Sequence, residues 1–206
     1  MDARVRKPPG RARAAFVIEY RRQTVTSAHH SPSNLPQSRT RPSTAEAGLV
    51  SVLAPVVDEV GRLLKTAGVL AALGYLNARV RFRYTGIFHP EPPMLRNVSL
   101  FDRENPRLNV SGNVIPLVSG YCGIVYSTNG SFATPNAQRD PRLCSHPARS
   151  SMRSYAGVPI SVDDGSAWGT LCHFDMRPRV IPPTELPLLE LVAPFFADWV
   201  REHADV

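Results

Sequence analysis

The 206 residues predict an α+β fold, a mainly antiparallel sheet with helices packed on it. Three observations lead there. The strand-like segments come in pairs joined by short turns, the pattern of hairpins rather than of helical crossovers. Amphipathic helical stretches stand at the beginning and the end of that region. An apolar share of 43% with 20% charged residues supplies material for a core.

In chain order, residues 1–44 are expected to be a disordered basic tail and residues 45–203 the ordered domain. The tail is rich in Arg, Ser, Pro and Thr, and only Phe16-Val17-Ile18 is apolar. Such a segment buries too little surface to offset its ordering entropy. It also explains the net charge of +7. Residues 1–45 hold nine Arg and Lys against Asp2 and Glu19, whereas residues 46–206 balance fifteen basic with fifteen acidic residues. Three readings fit the tail: a loose polyanion binder, a transit-like peptide, or a translated leader. No run of apolar residues is long enough to cross a membrane or to serve as a signal peptide. Cys122, Cys144 and Cys172 lack Cys-x-x-Cys spacing, which disfavours structural zinc and a disulfide framework and suits a reducing cytoplasm.

Order is expected from Ser43, which stands at capping-box spacing from Glu46. Leu49, Val52, Leu53, Val56, Val57, Val60, Leu63 and Leu64 recur at three and four, predicting a helix over 46–67 that Pro55 should kink or restart. Gly68 ends it, and Val69 to Leu76 reads as a second helix. Val80, Phe82, Tyr84 and Phe88 then alternate with Arg79, Arg81, Arg83 and Ile87, predicting a half-buried strand with a basic outer face. Pro90, Pro92 and Pro93 should end that ladder, and residues 94–102 return as its partner. Residues 103–114 read as loop, and 117–128 as a short helix around Tyr121 and Cys122. Phe132 to Thr134 is a short strand and 135–151 an irregular polar stretch. Arg153 to Val162 and Trp168 to Asp175 form a hairpin about Asp163-Asp164-Gly165-Ser166, because Asp-Gly tolerates positive φ. Thr184 is expected to cap a last helix over 184–203, bent at Pro194, with Leu188, Leu189, Val192, Phe195, Phe196, Trp199 and Val200 along one side.

Several groups invite chemistry. Asp102-Arg103-Glu104 at a strand end offers carboxylates, although capping and loop ion pairs are the expected use. His173 and Asp175 share one strand face opposite Cys172 and Phe174; without a third ligand at useful spacing they are expected to pair at the surface rather than to bind metal. The stretch 135–151, with Asn136, Asp140, Arg142, His146, Arg149 and Ser150, is long for a connection without regular structure. It either lines a pocket or is pinned to itself by Asp140, Arg142 and Arg149.

Taken together, Ser154-Tyr155-Ala156-Gly157-Val158-Pro159-Ile160, the Asp-Gly turn, and Trp168-Gly169-Thr170-Leu171-Cys172-His173-Phe174-Asp175 closely resemble the C-terminal half of a GAF domain. Leu100-Phe101-Asp102-Arg103-Glu104, Tyr121-Cys122-Gly123, Asn136-Ala137 with Asp140-Pro141-Arg142, and His146-Pro147-Ala148-Arg149 agree in order, so the likeness spans about residues 47–200. It implies a six-stranded antiparallel sheet with helices on one face and a ligand cavity on the other, covered by the 135–151 connection. The implied ligand-binding set is Phe101, Tyr121, Cys122, Asn136, Asp140, Arg142, His146 and Tyr155. The resemblance favours a cytoplasmic, non-enzymatic sensory or regulatory module for an unidentified small molecule. It implies a homodimer through the flanking helices; no cofactor is expected, and the lack of an apolar span and the neutral folded part predict no membrane and no specific nucleic acid. Two other readings stand beside it. Gly120-Tyr121-Cys122-Gly123 with Cys144 is similar to the thiol site of free methionine sulfoxide reductases, although Ser145-His146-Pro147-Ala148-Arg149 lacks the acids that would hold the substrate ammonium. A structural, partner-binding domain is the third.

Overall fold

The computed structural model describes residues 44–203 apart from Asn109. The tail and the Ser43–Glu46 capping box therefore lie outside the described residues. Four helices and six strands make up the domain: α1 (Thr44–Thr66), α2 (Val69–Ala78), β1 (Tyr84–Glu91), β2 (Met94–Asp102), β3 (Val114–Pro116), α3 (Cys122–Thr128), β4 (Phe132–Thr134), β5 (Ser154–Ser161), β6 (Ala167–Asp175) and α4 (Glu185–His203). The strands form one antiparallel sheet in the order β3-β2-β1-β6-β5-β4. This is the α+β architecture expected of the hairpin pattern. Among the described residues no helix is long and apolar enough to cross a membrane.

Pro55 was expected to kink or restart its helix and Pro194 to bend its own; α1 and α4 run through both as continuous helices, so no restart occurs at Pro55. Both stand on exposed faces, where water can take the carbonyl that proline leaves unpaired. The first strand needs a larger correction. It begins at Tyr84, not at Val80. The guanidinium of Arg103 binds the carbonyls of Asn77 and Val80, and turn bonds from Arg79 and Val80 close the end of α2. The alternation over 79–83 thus reports burial of Val80 and Phe82 in a small cluster with Ala156, without a ladder. The strand also runs on through Pro90 to Glu91. In a two-residue hairpin Glu91 and Met94 form the hydrogen-bonded pair, so the next residue faces away from β2. Pairing of β1 with β6 stops at Phe88, so the N–H that Pro90 lacks has no partner to lose. The edge strand β3, within and beyond the expected loop, is three exposed residues, too short to leave a periodic signal.

The sheet separates two cores. On one face Leu53, Val60, Leu73, Leu76, Leu188, Val192 and Phe196 of α1, α2 and α4 meet Ile87, Val158, Ile160 and Leu171. On the other, Phe88, Leu95, Tyr155, Cys172 and Phe174 meet Tyr121, Cys122 and Val125 of the α3 region and Ala137, Leu143 and Ala148 of the long connection. Alternation along β6 makes this division: Leu171 and His173 face the helices, Cys172 and Phe174 face away. The Asp-Gly hairpin turns as expected, with Gly165 at φ 79°.

Candidate functional site on the far face of the sheet

The connection between β4 and β5 is short 3₁₀ turns, each started by a residue whose side chain accepts a backbone N–H. Asn136 accepts from Gln138, Asp140 from Arg142, and His146 from Ala148. These are the side chains that stabilise such turns locally. Arg142 grips Asp140 at 2.7 Å, donates to the Ala133 carbonyl at 2.8 Å, and lies over the Phe132 ring. Arg149 donates to the carbonyls of Ala137 and Gln138. The hydrogen bonds from Arg142 hold the Asp140 carboxyl down at about 2. The polar residues of this segment therefore fasten it to itself and to β4, as a fixed cover over the sheet.

Beneath the cover lies an aromatic cluster. Tyr121 and Tyr155 are both fully buried, with rings edge-on at 5.7 Å, and His146 stands 4.7 Å from Tyr121. Tyr121 donates to the Met152 carbonyl at 2.9 Å. Tyr155 reaches back over Gly157, where any Cβ would collide with its phenol, and donates to Cys122 Sγ at 3.5 Å. Cys122 and Cys172 lie with sulfurs 4.0 Å apart. Burial pushes Tyr121 up to about 12, raises Tyr155 and Cys172 well above their ordinary values, and lowers His146. The hydrogen bond from Cys172 pulls Cys122 the other way. Burial thus favours the neutral forms of Tyr121, Tyr155, Cys172 and His146, whereas hydrogen bonding favours the thiolate of Cys122.

The structure brings together Tyr121, Cys122, Asn136, Asp140, Arg142, His146 and Tyr155. It does not bring in Phe101, which lies on the helix face against Gly74. Cys144 is exposed on the cover, and the sulfur beside Cys122 is that of Cys172.

Sequence reasoning missed two further members. Asn97, opposite Phe88 in the ladder, and Thr170, two residues before Cys172, share the far face. Among the described residues Asn97 Oδ1 and Thr170 Oγ1 are buried without a hydrogen-bond partner; Thr170 lies beside Cys122 without reaching hydrogen-bonding geometry. A buried polar atom without a partner costs about 1–3 kcal/mol. The available signal was a polar residue at an inward position of each strand.

The helix face contains the opposite arrangement. His173 and Asp175, expected at the surface, are 0% and 3% exposed. Asp175 accepts from Arg83 N, Arg177 N and Arg179 Nε, tying three segments together. Arg103 Nε donates to Asn77 Oδ1 and Asn77 Nδ2 to Thr85 Oγ1. Thr85 lies 2.6 Å from His173 Nδ1, and His173 Nε2 lies 3.0 Å from Glu185 Oε1. Because Thr85 accepts from Asn77, its hydroxyl is free to donate to Nδ1, which leaves the ring proton on Nε2 for Glu185. Each step has a donor and an acceptor, and the chain anchors α4 to the sheet. Asp102 serves as expected of a strand end, accepting the Arg83 fork at 2.8 Å and the Glu104 N–H. A surface groove of about 530 Å³ also opens between Gly130-Ser131, the Val158–Ser161 rim and α4 at Glu190 and Ala197; nothing in the sequence pattern marked it. No group of three or more metal-ligating side chains occurs among the described residues.

These features match known proteins in fold. The GAF domain family model matches residues 48–198. The GAF domain of an Acinetobacter phosphoenolpyruvate-protein phosphotransferase superposes with a TM-score of 0.58 at 12% identity, covering 73% of this chain and 94% of that one. Free methionine-R-sulfoxide reductase from Neisseria meningitidis, with its substrate, gives 0.55 at 15% identity, covering 85% and 95%. The chromophore-binding domain of an R. palustris bacteriophytochrome gives 0.56 at 14%, covering 81% and 65%. No curated protein sequence matches. At such identities the superpositions speak for the fold alone, and it is the family model, spanning the sheet, its cover and both long helices, that places this chain in the GAF domain family.

Proposed function

We propose that this protein is a non-enzymatic sensory module that binds a small molecule on the far face of its sheet, under the 135–152 cover. GAF domains are in general sensory or ligand-binding modules. The observation that carries the reading is the pair of unpartnered buried acceptors, Asn97 Oδ1 and Thr170 Oγ1, amid the aromatic cluster. Stability alone does not call for polar residues here, since an apolar residue of similar shape would be neutral or better. A ligand with an N–H or O–H donor on a largely apolar body would satisfy them. Tyr121, Tyr155, Cys122 and His146 would frame it, and Asn136, Asp140 and Arg142 would hold the cover. Native mass spectrometry of the purified protein tests this: the expected result is a non-covalent adduct that disappears in Asn97→Leu. An adduct that survives in Asn97→Leu would place the ligand elsewhere.

The thiol-enzyme alternative assigns attack to the exposed Cys144. Its cover carries Arg142 and Arg149 and no free carboxylate for a substrate ammonium, because Asp140 is held by Arg142. Consumption of free methionine sulfoxide with a dithiol donor, lost in Cys144→Ser, would replace the sensor reading. We place the protein in the cytoplasm as a homodimer through α1 and α4. Val50 and Val52 stand 47% and 71% exposed on α1, and Phe195 and Trp199 of α4 are only partly covered. Sedimentation should show twice the monomer mass at micromolar concentration.

A further inference from the structure

The neutrality of residues 46–206 conceals a separation of charge. At the sheet end where β1 and β5 begin and β2, β4 and β6 finish, the segments 79–83, 103–108, 135–153 and 176–179 come together. Backbone bonds join them directly: Arg103 N to Arg83 O, Arg153 N to Asp175 O, and Arg179 N to Pro135 O. They hold eleven of the fifteen basic residues of 46–206, every one an arginine. Four carboxylates stand among them, and each is already engaged. Asp102 and Glu104 take Arg83, Asp140 takes Arg142, and Asp175 takes Arg179. Arg103 and Arg149 are committed to the carbonyls described above. Six guanidinium groups are left, those of Arg79, Arg81, Arg107, Arg139, Arg153 and Arg177, with no ion pair or side-chain hydrogen bond among the described residues. All but Arg153 are exposed, and Arg153 Nε is buried without a partner among the described residues.

We propose that this end of the sheet docks the phosphate backbone of nucleic acid without reading its sequence. The proposal is independent of the small-molecule site. Like charges gathered at one end repel one another, and an anionic partner removes that cost. The guanidinium fork suits the paired oxygens of a phosphate. Five strands lie side by side here, so the arginines are spread over about 19 Å at the usual strand spacing. That breadth exceeds a mononucleotide and spans on the order of ten charges of a duplex. A protein partner would want an apolar centre, and the large exposed apolar side chains on these segments and just beyond are the separate Leu108, Met176 and Val180.

The basic tail must be separated from this surface, so the test uses the full chain in three forms. Wild type is compared with Arg79→Gln/Arg81→Gln/Arg107→Gln/Arg177→Gln and with Arg4→Gln/Arg6→Gln/Arg11→Gln/Arg13→Gln, which remove equal charge. Fluorescence anisotropy of a labelled DNA duplex of about 20 base pairs is read between about 50 and 200 mM salt. The domain variant is expected to bind at least about tenfold more weakly, with the log–log salt slope reduced by about three to four, and to lose more than the tail variant. Its melting curve should match wild type, since the substituted side chains have no partners. Should it melt early, Arg107→Glu/Arg177→Glu, two substitutions on solvent-facing loops, carries the same test. A domain variant that binds like wild type, or loses no more than the tail variant, overturns the proposal. So does wild type that binds phosphatidylserine vesicles and ignores the duplex.

Discussion

The two faces of this sheet solve the problem of buried polar groups in opposite ways. On the helix face, Asn77, Thr85, His173 and Glu185 are buried and each has its partner, from Arg103 at one end to the first turn of α4 at the other. On the far face, Asn97 and Thr170 are buried with an atom left over. A satisfied network fixes one packing arrangement and makes removal of a member expensive. An unsatisfied acceptor weakens the fold and invites something to complete it. The contrast separates what holds the domain together from the face proposed to take a ligand.

The largest effect should come from breaking the satisfied face. Glu185→Ala leaves His173 Nε2 without an acceptor and unties α4, at an expected cost of about 3 kcal/mol. Glu185→Gln keeps a carbonyl acceptor and should cost about 1 kcal/mol. Urea denaturation of both variants checks this, and equal losses would mean the carboxylate does not accept from His173. Next in size is Gly169→Ala. Its Cβ would meet the Phe88 carbonyl at 2.6 Å, and backbone cannot step aside, so about 2 kcal/mol should be lost. That contact marks how closely β6 and β1 approach beside Thr170.

How much of this contrast could be read from the sequence follows from which patterns local chemistry imposes. The α+β class, the β5–β6 hairpin and the terminal helices were legible because Asp163-Asp164-Gly165 and the spacing from Leu49 to Leu64 act through near neighbours. Extent was less legible. Val80 and Phe82 alternate as a strand would, yet a tertiary contact from Arg103 bends their backbone out of the ladder. His173 and Asp175 looked like surface residues because their partners, Thr85, Glu185, Arg83 and Arg179, are mostly distant in sequence. The cover residues Asn136, Asp140, Arg142 and His146 lie together over the far face, beside Tyr121, Cys122 and Tyr155, as their sequence order suggested. Phe101, drawn from the family likeness, stands instead on the helix face, where the register shift between Ile87 and Phe88 reverses the alternation along β2. Asn97 and Thr170 went unnoticed because a missing partner is visible only in three dimensions.

Smaller effects sharpen the same comparison. Asn97→Leu removes an acceptor that nothing satisfies, so the unliganded protein should be unchanged or more stable by up to about 1 kcal/mol. A loss above about 1 kcal/mol in thermal melting would show that Asn97 is structural. The acid response of the cover is expected to be the smallest. Asp140 has its folded pKa depressed to about 2, so its stabilisation is present above the unfolded value near 4 and fades as pH falls from there through about 2. Because the Arg142 side of the pair is 59% exposed and screened by solvent, the effect should stay under about 1 kcal/mol. It should be absent in Asp140→Asn when the pH dependence of melting is compared.

The central claim, that the far face is the binding face, is tested most directly by locating small molecules on the protein. A fragment screen of the full chain, read by amide chemical shifts, should give hits that move Tyr121, Cys122, His146, Tyr155 and Asn97 while leaving Leu73, Val192 and Glu190 in place. Hits confined to the groove beside Glu190, or to the helix face, would contradict it.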